Sequence, residues 1–193
     1  MKQQFDVTLP KPEFSERNLY LCKGVTQESI EEITKGIVKI NEEDEQYQKV
    51  YDFYSFPYRR LPIKIYLDTY GGFVYQCFGL LSVIERSKTP VHTIVTGCAM
   101  SCGFMILISG HERYAHKLST PLYHQVNTGF VGKIADLKEE WIEAQRLQKM
   151  IEGIVVRKTK ITRRKLKDIY DRKVDWYMTS KEALRLGVVD KII

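Results

Sequence analysis

Twice in this sequence a short β-branched segment runs into glycine and then straight into an apolar helical pattern. Residues 63–67 (IKIYL) end in Asp68-Thr69-Tyr70-Gly71-Gly72, and a helix is expected over about residues 74–86. Residues 91–96 (VHTIVT) form a second strand, broken at Gly97. The run AMSCGFMILIS follows it, with the length and composition of a buried helix. Parallel strands need a crossover element between them, so this order restricts the chain to an α/β domain with mostly parallel pairing. Junctions of this kind converge at the carboxyl ends of neighbouring strands, where α/β proteins place their sites.

The remaining segments are consistent with that reading. Residues 1–18 are expected to be an irregular leader, and residues 19–22 a short strand before a turn at Gly24. Thr26 caps a helix whose apolar face is Ile30, Ile33, Ile37 and Ile40. Residues 41–62 begin acidic and continue with Tyr47, Tyr51, Phe53, Tyr54, Phe56 and Tyr58, which suggests a helix end plus a tyrosine-rich loop. Residues 114–115 and 121–124 read as short strands. From Lys133 a long helix carries Ile134, Leu137, Trp141, Ala144, Leu147, Ile151 and Ile154 on one stripe. A stripe this long on a small domain implies a packing partner. Thr179-Ser180-Lys181-Glu182 fits a capping box, and Gly187 supplies a stop.

At 193 residues the chain fits one domain with a sizeable core. It lacks an apolar run of the roughly 18–20 residues that span a bilayer, and the N-terminus has no signal-like apolar region. Cysteines 22, 77, 98 and 102 show neither C-x-x-C nor zinc-finger spacing, so a reducing cytoplasm and no metal site are expected. The net charge of +6 is concentrated in residues 157–173, which hold nine Lys/Arg against Asp168 and Asp171. Nucleic-acid binding is one reading of that run. Leu166, Ile169 and Tyr170 at helical spacing favour the other, an amphipathic helix with a solvated basic face.

In Gly97-Cys98-Ala99-Met100-Ser101-Cys102-Gly103, the serine falls at the start of the apolar helix. Backbone N–H groups there have no intrahelical partner and, with the helix dipole, can stabilise an oxyanion. Taken alone, a serine in this place reads as a helix cap. The G-x-S-x-G elbow of hydrolases is also incomplete, because Ala99 stands where its first glycine belongs. Gly71-Gly72 closes a neighbouring strand and offers a second oxyanion amide. A serine nucleophile needs a base, yet spacing does not choose among His92, His111, His116 and His124.

Read in order, several motifs resemble the Clp protease proteolytic subunit. They are Thr69-Tyr70-Gly71-Gly72, the pattern Gly97-x-Ala99-x-Ser101-x-Gly103, His124-Gln125, residues 175–183 (DWYMTSKEA) and residues 186–190 (LGVVD). The likeness covers about two-thirds of the chain from Ile63 onward, and more weakly residues 19–40. It implies a crotonase-like fold of stacked βαβ units, with a handle over about residues 127–155. It further implies Ser101 as nucleophile, His124 as base, Asp175 as the acid orienting the histidine, and Gly72 and Cys102 as oxyanion donors. Gly71, Thr128, Gly129 and Phe130 would then line the substrate, with residues 127–136 pairing to it as an extended strand.

The same resemblance implies a serine endopeptidase of heptameric rings and a tetradecamer, in a bacterial, phage-infected or organellar setting. It would hold no cofactor of its own, ATP being used by a partner AAA+ unfoldase. A ring subunit that cuts poorly is the alternative, followed by a crotonase-type acyl-CoA enzyme. Several departures bear on these expectations. Tyr70 stands where the family has proline, Phe104 replaces a smaller residue and would narrow the pocket, and Asp171 competes with Asp175 as third triad member. The leader is shorter and residues 41–62 form a divergent insertion, both on the face that meets the unfoldase in the family.

Overall fold

The computed structural model describes residues 15–193, so most of the expected leader lies outside the described residues. The chain order is β1 (Asn18–Leu21), α1 (Gln27–Phe53), β2 (Ile63–Thr69), α2 (Val74–Arg86), β3 (Val91–Met100), α3 (Cys102–Ser109) and β4 (Glu112–Ala115). It continues with β5 (Thr120–Tyr123), α4 (Ile134–Lys158), α5 (Arg163–Arg172), β6 (Trp176–Tyr177), α6 (Ser180–Arg185) and β7 (Lys191–Ile192). The sheet runs β1-β2-β3-β4-β7, all parallel. The α/β architecture expected from the two junctions is therefore what forms.

Local chemistry explains the element ends. The Thr26 hydroxyl accepts from the Ser29 amide, and Ser29 returns a bond to the Thr26 amide, starting α1 at the expected place. Ile30, Ile33, Ile37 and Ile40 are buried with Ile63, Ile65 and Leu67 of β2 in one core. All of α3 is buried, as its unbroken apolar run requires. Thr179 caps α6 through the Glu182 amide, and Gly187 takes a positive φ of 67° just beyond it.

Residues 41–62 do combine a helix end with a loop. α1 continues to Phe53, and the following loop returns Tyr58 onto Tyr47, Tyr51 and the buried Asp44.

Three expectations need correction. β3 does not break at Gly97 but runs through it to Met100. Asp68 at the end of β2 accepts the Cys98 amide at 2.9 Å, and a Cβ on Gly97 would sit 2.4 Å from that carboxylate. Glycine here permits a close approach between strands rather than ending one. The basic run is also not one helix. Arg157 and Lys158 finish α4, while α5 begins at Arg163, burying Leu166 and Ile169 and pairing Asp168 and Asp171 with its own Lys and Arg. Finally, residues 134–136 belong to α4, so at most residues 127–133 precede it in non-helical form.

The extra length of β3 positions the site. Its first half pairs with β4 from His92↔Glu112 to Val95↔Ala115. Its second half diverges to pair with β5 from Cys98↔Thr120 to Met100↔Leu122. β6 then adds to β5 in antiparallel register, Leu122↔Tyr177 and Tyr123↔Trp176.

Candidate active site

Ser101 joins β3 to α3 in a backbone conformation of φ 54°, ψ −118°. A non-glycine residue there costs on the order of 1–3 kcal/mol and persists only when its surroundings enforce it. Here the Ser101 amide donates to the Leu122 carbonyl at 3.1 Å, and its carbonyl accepts from Met105 at 3.2 Å. Although it occupies the cap position, its hydroxyl caps nothing in the helix. That removes the cap reading which the local sequence favoured, and leaves the hydroxyl half-buried at the sheet's carboxyl end.

Gly71 packs directly on this turn. A Cβ on it would lie 2.8 Å from the Ser101 Cβ and 2.7 Å from the Met100 carbonyl oxygen, and its φ of +96° is one that glycine favours. The Thr69 hydroxyl accepts the Gly71 amide at 3.1 Å and donates to the Lys23 carbonyl at 2.7 Å. Val25 donates to the Gly71 carbonyl at 2.8 Å and accepts from the Phe73 amide at 2.9 Å. In such a parallel bridge the intervening Gly72 turns its own N–H and C=O to the opposite side. There the Cys102 thiol donates to the Gly72 carbonyl at 3.1 Å. The Cys102 amide, first in its helix, is an orphan donor by position. The Gly72 and Cys102 backbones thus meet next to the Ser101 turn.

The buried Cys77 thiol donates to the Cys102 carbonyl at 3.5 Å. A hydrogen bond between the two thiols pulls Cys102 below its ordinary pKa, helped by the Gly72 backbone and Ser101, and pushes Cys77 up together with burial.

His124 and Asp175 meet through strand register. One step beyond Tyr123↔Trp176 the antiparallel ladder sets residue 124 opposite residue 175, and His124 Nδ1 lies 3.7 Å from Asp175 Oδ1. That distance is beyond hydrogen-bond length. His124 is half-buried and Asp175 exposed. Asp171 is engaged elsewhere, 2.6 Å from Lys167 on the same helix. His92 lies in the early half of β3, where burial lowers its pKa, and His111 accepts the Val91 amide through Nδ1 at 2.9 Å. His116 begins a turn closed by Ser119. Of the four histidines, His124 is the one that follows β5 toward Ser101.

No hydrogen bond joins the Ser101 hydroxyl to His124 among the described residues. Catalytic hydrogen bonds of this type commonly tighten only with substrate bound. Thr128, Gly129 and Phe130 lie in an exposed segment, with no hydrogen bond or ring contact to Ser101. That segment leads into a groove of about 710 Å³, lined by Val126, Trp141, Gln148 and Tyr170 among others. Phe104 is not among the residues lining that groove. Its ring is fully buried beneath the site and packs edge-on against Tyr123 at 5.8 Å. Among the described residues, no group of three His, Cys, Asp or Glu is arranged to hold a metal. Sequence reasoning missed Gln148, Val25 and Asp68, whose polar contacts join segments far apart in the chain and leave no local signature.

The family model for Clp protease matches residues 7–193. The chain belongs to the Clp protease family. A curated relative, the ATP-dependent Clp protease proteolytic subunit of Deinococcus radiodurans, is 32% identical over 133 residues. That match covers 68% of this chain and 64% of the relative's length. For a Clp protease chain the tyrosine at position 70 is a departure, yet Tyr70 is 81% exposed and the Gly71-Gly72 turn is held by Thr69 and Val25 instead. No helix among the described residues is long and apolar enough to cross a membrane.

Proposed function

We propose that this chain is a serine endopeptidase, the proteolytic subunit of a Clp-type ATP-dependent protease. One observation carries the reading: Ser101, His124 and Asp175 lie at the adjoining ends of β3, β5 and β6, with the Gly71–Gly72 turn packed against the serine.

In this mechanism His124 removes the Ser101 proton as the hydroxyl attacks a peptide carbonyl. The Gly72 and Cys102 amides receive the developing oxyanion; removing one such donor costs about 10²–10³-fold in other systems. His124 then returns the proton to the leaving amine, and a water activated by the same imidazole releases the acyl group from Ser101. Asp175 orients the ring and stabilises the imidazolium. Gly71 and the segment bearing Thr128, Gly129 and Phe130 would flank the peptide as strand-like edges.

The exposed part of α4 supports assembly. Ile134, Trp141 and Ile142 are more than half exposed, whereas Leu147, Ile151 and Val155 are buried. A helix apolar beyond its own domain needs a second surface. This fits a handle joining heptameric rings into a tetradecamer that an AAA+ unfoldase supplies with unfolded substrate, using ATP bound by that partner. A cytoplasmic location follows from this reading.

A fluorophosphonate probe tests the proposal. Mass spectrometry should find the adduct on Ser101, and the S101A and H124A variants should lose it along with short-peptide hydrolysis. Assembled protein that takes no label and cleaves no peptide would instead be a structural ring subunit.

A further inference from the structure

The contact between His124 and Asp175 is too long, and Asp175 too exposed, to hold the imidazole alone. Regular structure also stops at Tyr123, and residues 127–133 are exposed and irregular. Something else must fix the backbone that carries the base.

Gln148 of α4 meets that need. It is only 7% exposed, in the middle of a long helix. Its Oε1 accepts the Val126 amide at 2.8 Å, and its Nε2 donates to the Tyr123 hydroxyl at 3.3 Å and to Glu152 Oε1 at 2.8 Å. The Val126 amide can only donate, so the carboxamide oxygen must face it and the nitrogen must face Tyr123 and Glu152. Both polar atoms of the side chain thus have partners. Tyr123 is anchored further by pairing with Trp176 and by the Phe104 ring. Burial pushes its phenol up to about 12, keeping it a neutral hydroxyl at physiological pH.

We infer that Gln148 is a positioning residue for His124, tying the residues on either side of the base, Tyr123 and Val126, to the handle helix. The inference rests on the peptidase reading. It makes α4 serve both assembly and base alignment: a shift of the helix near Gln148 moves Val126 and Tyr123 together. An error of about 1 Å in placing a catalytic group can cost on the order of 10²-fold, so the geometry at stake is catalytic in size.

The test uses the full chain. Q148M keeps the length and volume of the side chain but makes none of its three bonds. Its kcat on a short fluorogenic peptide should fall about 10- to 100-fold with KM within about twofold, the signature of a lost alignment rather than lost binding. Hydrogen–deuterium exchange of the peptide spanning residues 122–128 should accelerate while the assembled size is unchanged. Q148E/E152Q restores an acceptor for Val126 next to a donor at position 152, and should recover part of the kcat. Wild-type kcat in Q148M would overturn the inference, as would a fall in kcat without faster exchange at residues 122–128. Wild-type protein that neither labels at Ser101 nor hydrolyses peptide overturns the peptidase reading, and the exchange measurement then still decides whether Gln148 pins the segment.

Discussion

Replacing Asp44 by alanine should destabilise the fold by about 3–5 kcal/mol, the usual cost of breaking a buried ion pair from one side. Asp44 lies in α1 with its side chain fully buried, against 10% exposure for the side chain of its partner Arg17. It accepts two bonds from that guanidinium, at 3.0 and 2.6 Å, one from the Tyr58 hydroxyl at 2.6 Å and one from the Thr89 hydroxyl at 2.5 Å. Desolvation offsets most of the attraction in such a pair, so the intact cluster contributes modestly. Alanine removes the acceptor and leaves three donor groups facing a void, so the penalty is much larger than the cluster's net worth. Unfolding by urea at fixed protein concentration measures it. With an m-value of about 2 kcal/mol/M, the midpoint should fall by roughly 1.5–2.5 M.

The pH dependence gives a second reading of the same cluster. Burial raises the Asp44 pKa, but the bonds from Arg17, Thr89 and Tyr58 more than reverse this and hold it below the ordinary carboxylate value. A lowered folded pKa adds stability that is present above the unfolded value of about 3.9 and disappears as the pH falls through the folded one. Wild type should therefore lose stability in that acid range more steeply than D44A. A cost below about 1 kcal/mol, or equal acid slopes, would refute the argument that this cluster holds α1 to Arg17, to Thr89 ahead of β3 and to the tyrosine loop.

D175N should lower kcat for a short peptide by roughly 10²–10⁴-fold, while D171N, which only loses a pairing with Lys167, should leave it near wild type; steady-state kinetics separate the two. In G71A the new methyl meets the Met100 carbonyl and the Ser101 Cβ at a positive φ, so fluorophosphonate labelling should slow about 100-fold or more and the melting midpoint should drop. W141D puts a charge on the exposed stripe of α4, and light scattering should show smaller assemblies than wild type at equal concentration.

How much could be read without coordinates depended on whether the signal was local. α2 was legible to its ends because a thirteen-residue apolar period between a glycine junction and Ser87 leaves few alternatives. The caps at Thr26 and Thr179 were legible because each acts across three residues. Gly97 misled for a physical reason. Glycine marks a turn and a close approach equally well, and only the Asp68 carboxylate across the strands distinguishes them.

The order of Ser101, His124 and Asp175 in the chain, and the apolar periods around them, belong to the sequence by itself, since α/β topology follows from periodicity and junctions. Tertiary structure decided the rest of the site. The fork of β3 between β4 and β5 and the antiparallel addition of β6 bring His124 opposite Asp175, while Asp171 pairs with Lys167 on its own helix. It also turned Ser101 from a helix cap into a strained turn whose hydroxyl does not cap the helix. Those placements depend on register between residues 22 to 55 apart in the chain, from Cys98↔Thr120 to Leu122↔Tyr177, and register is set by packing of the whole sheet, which no short window of sequence contains.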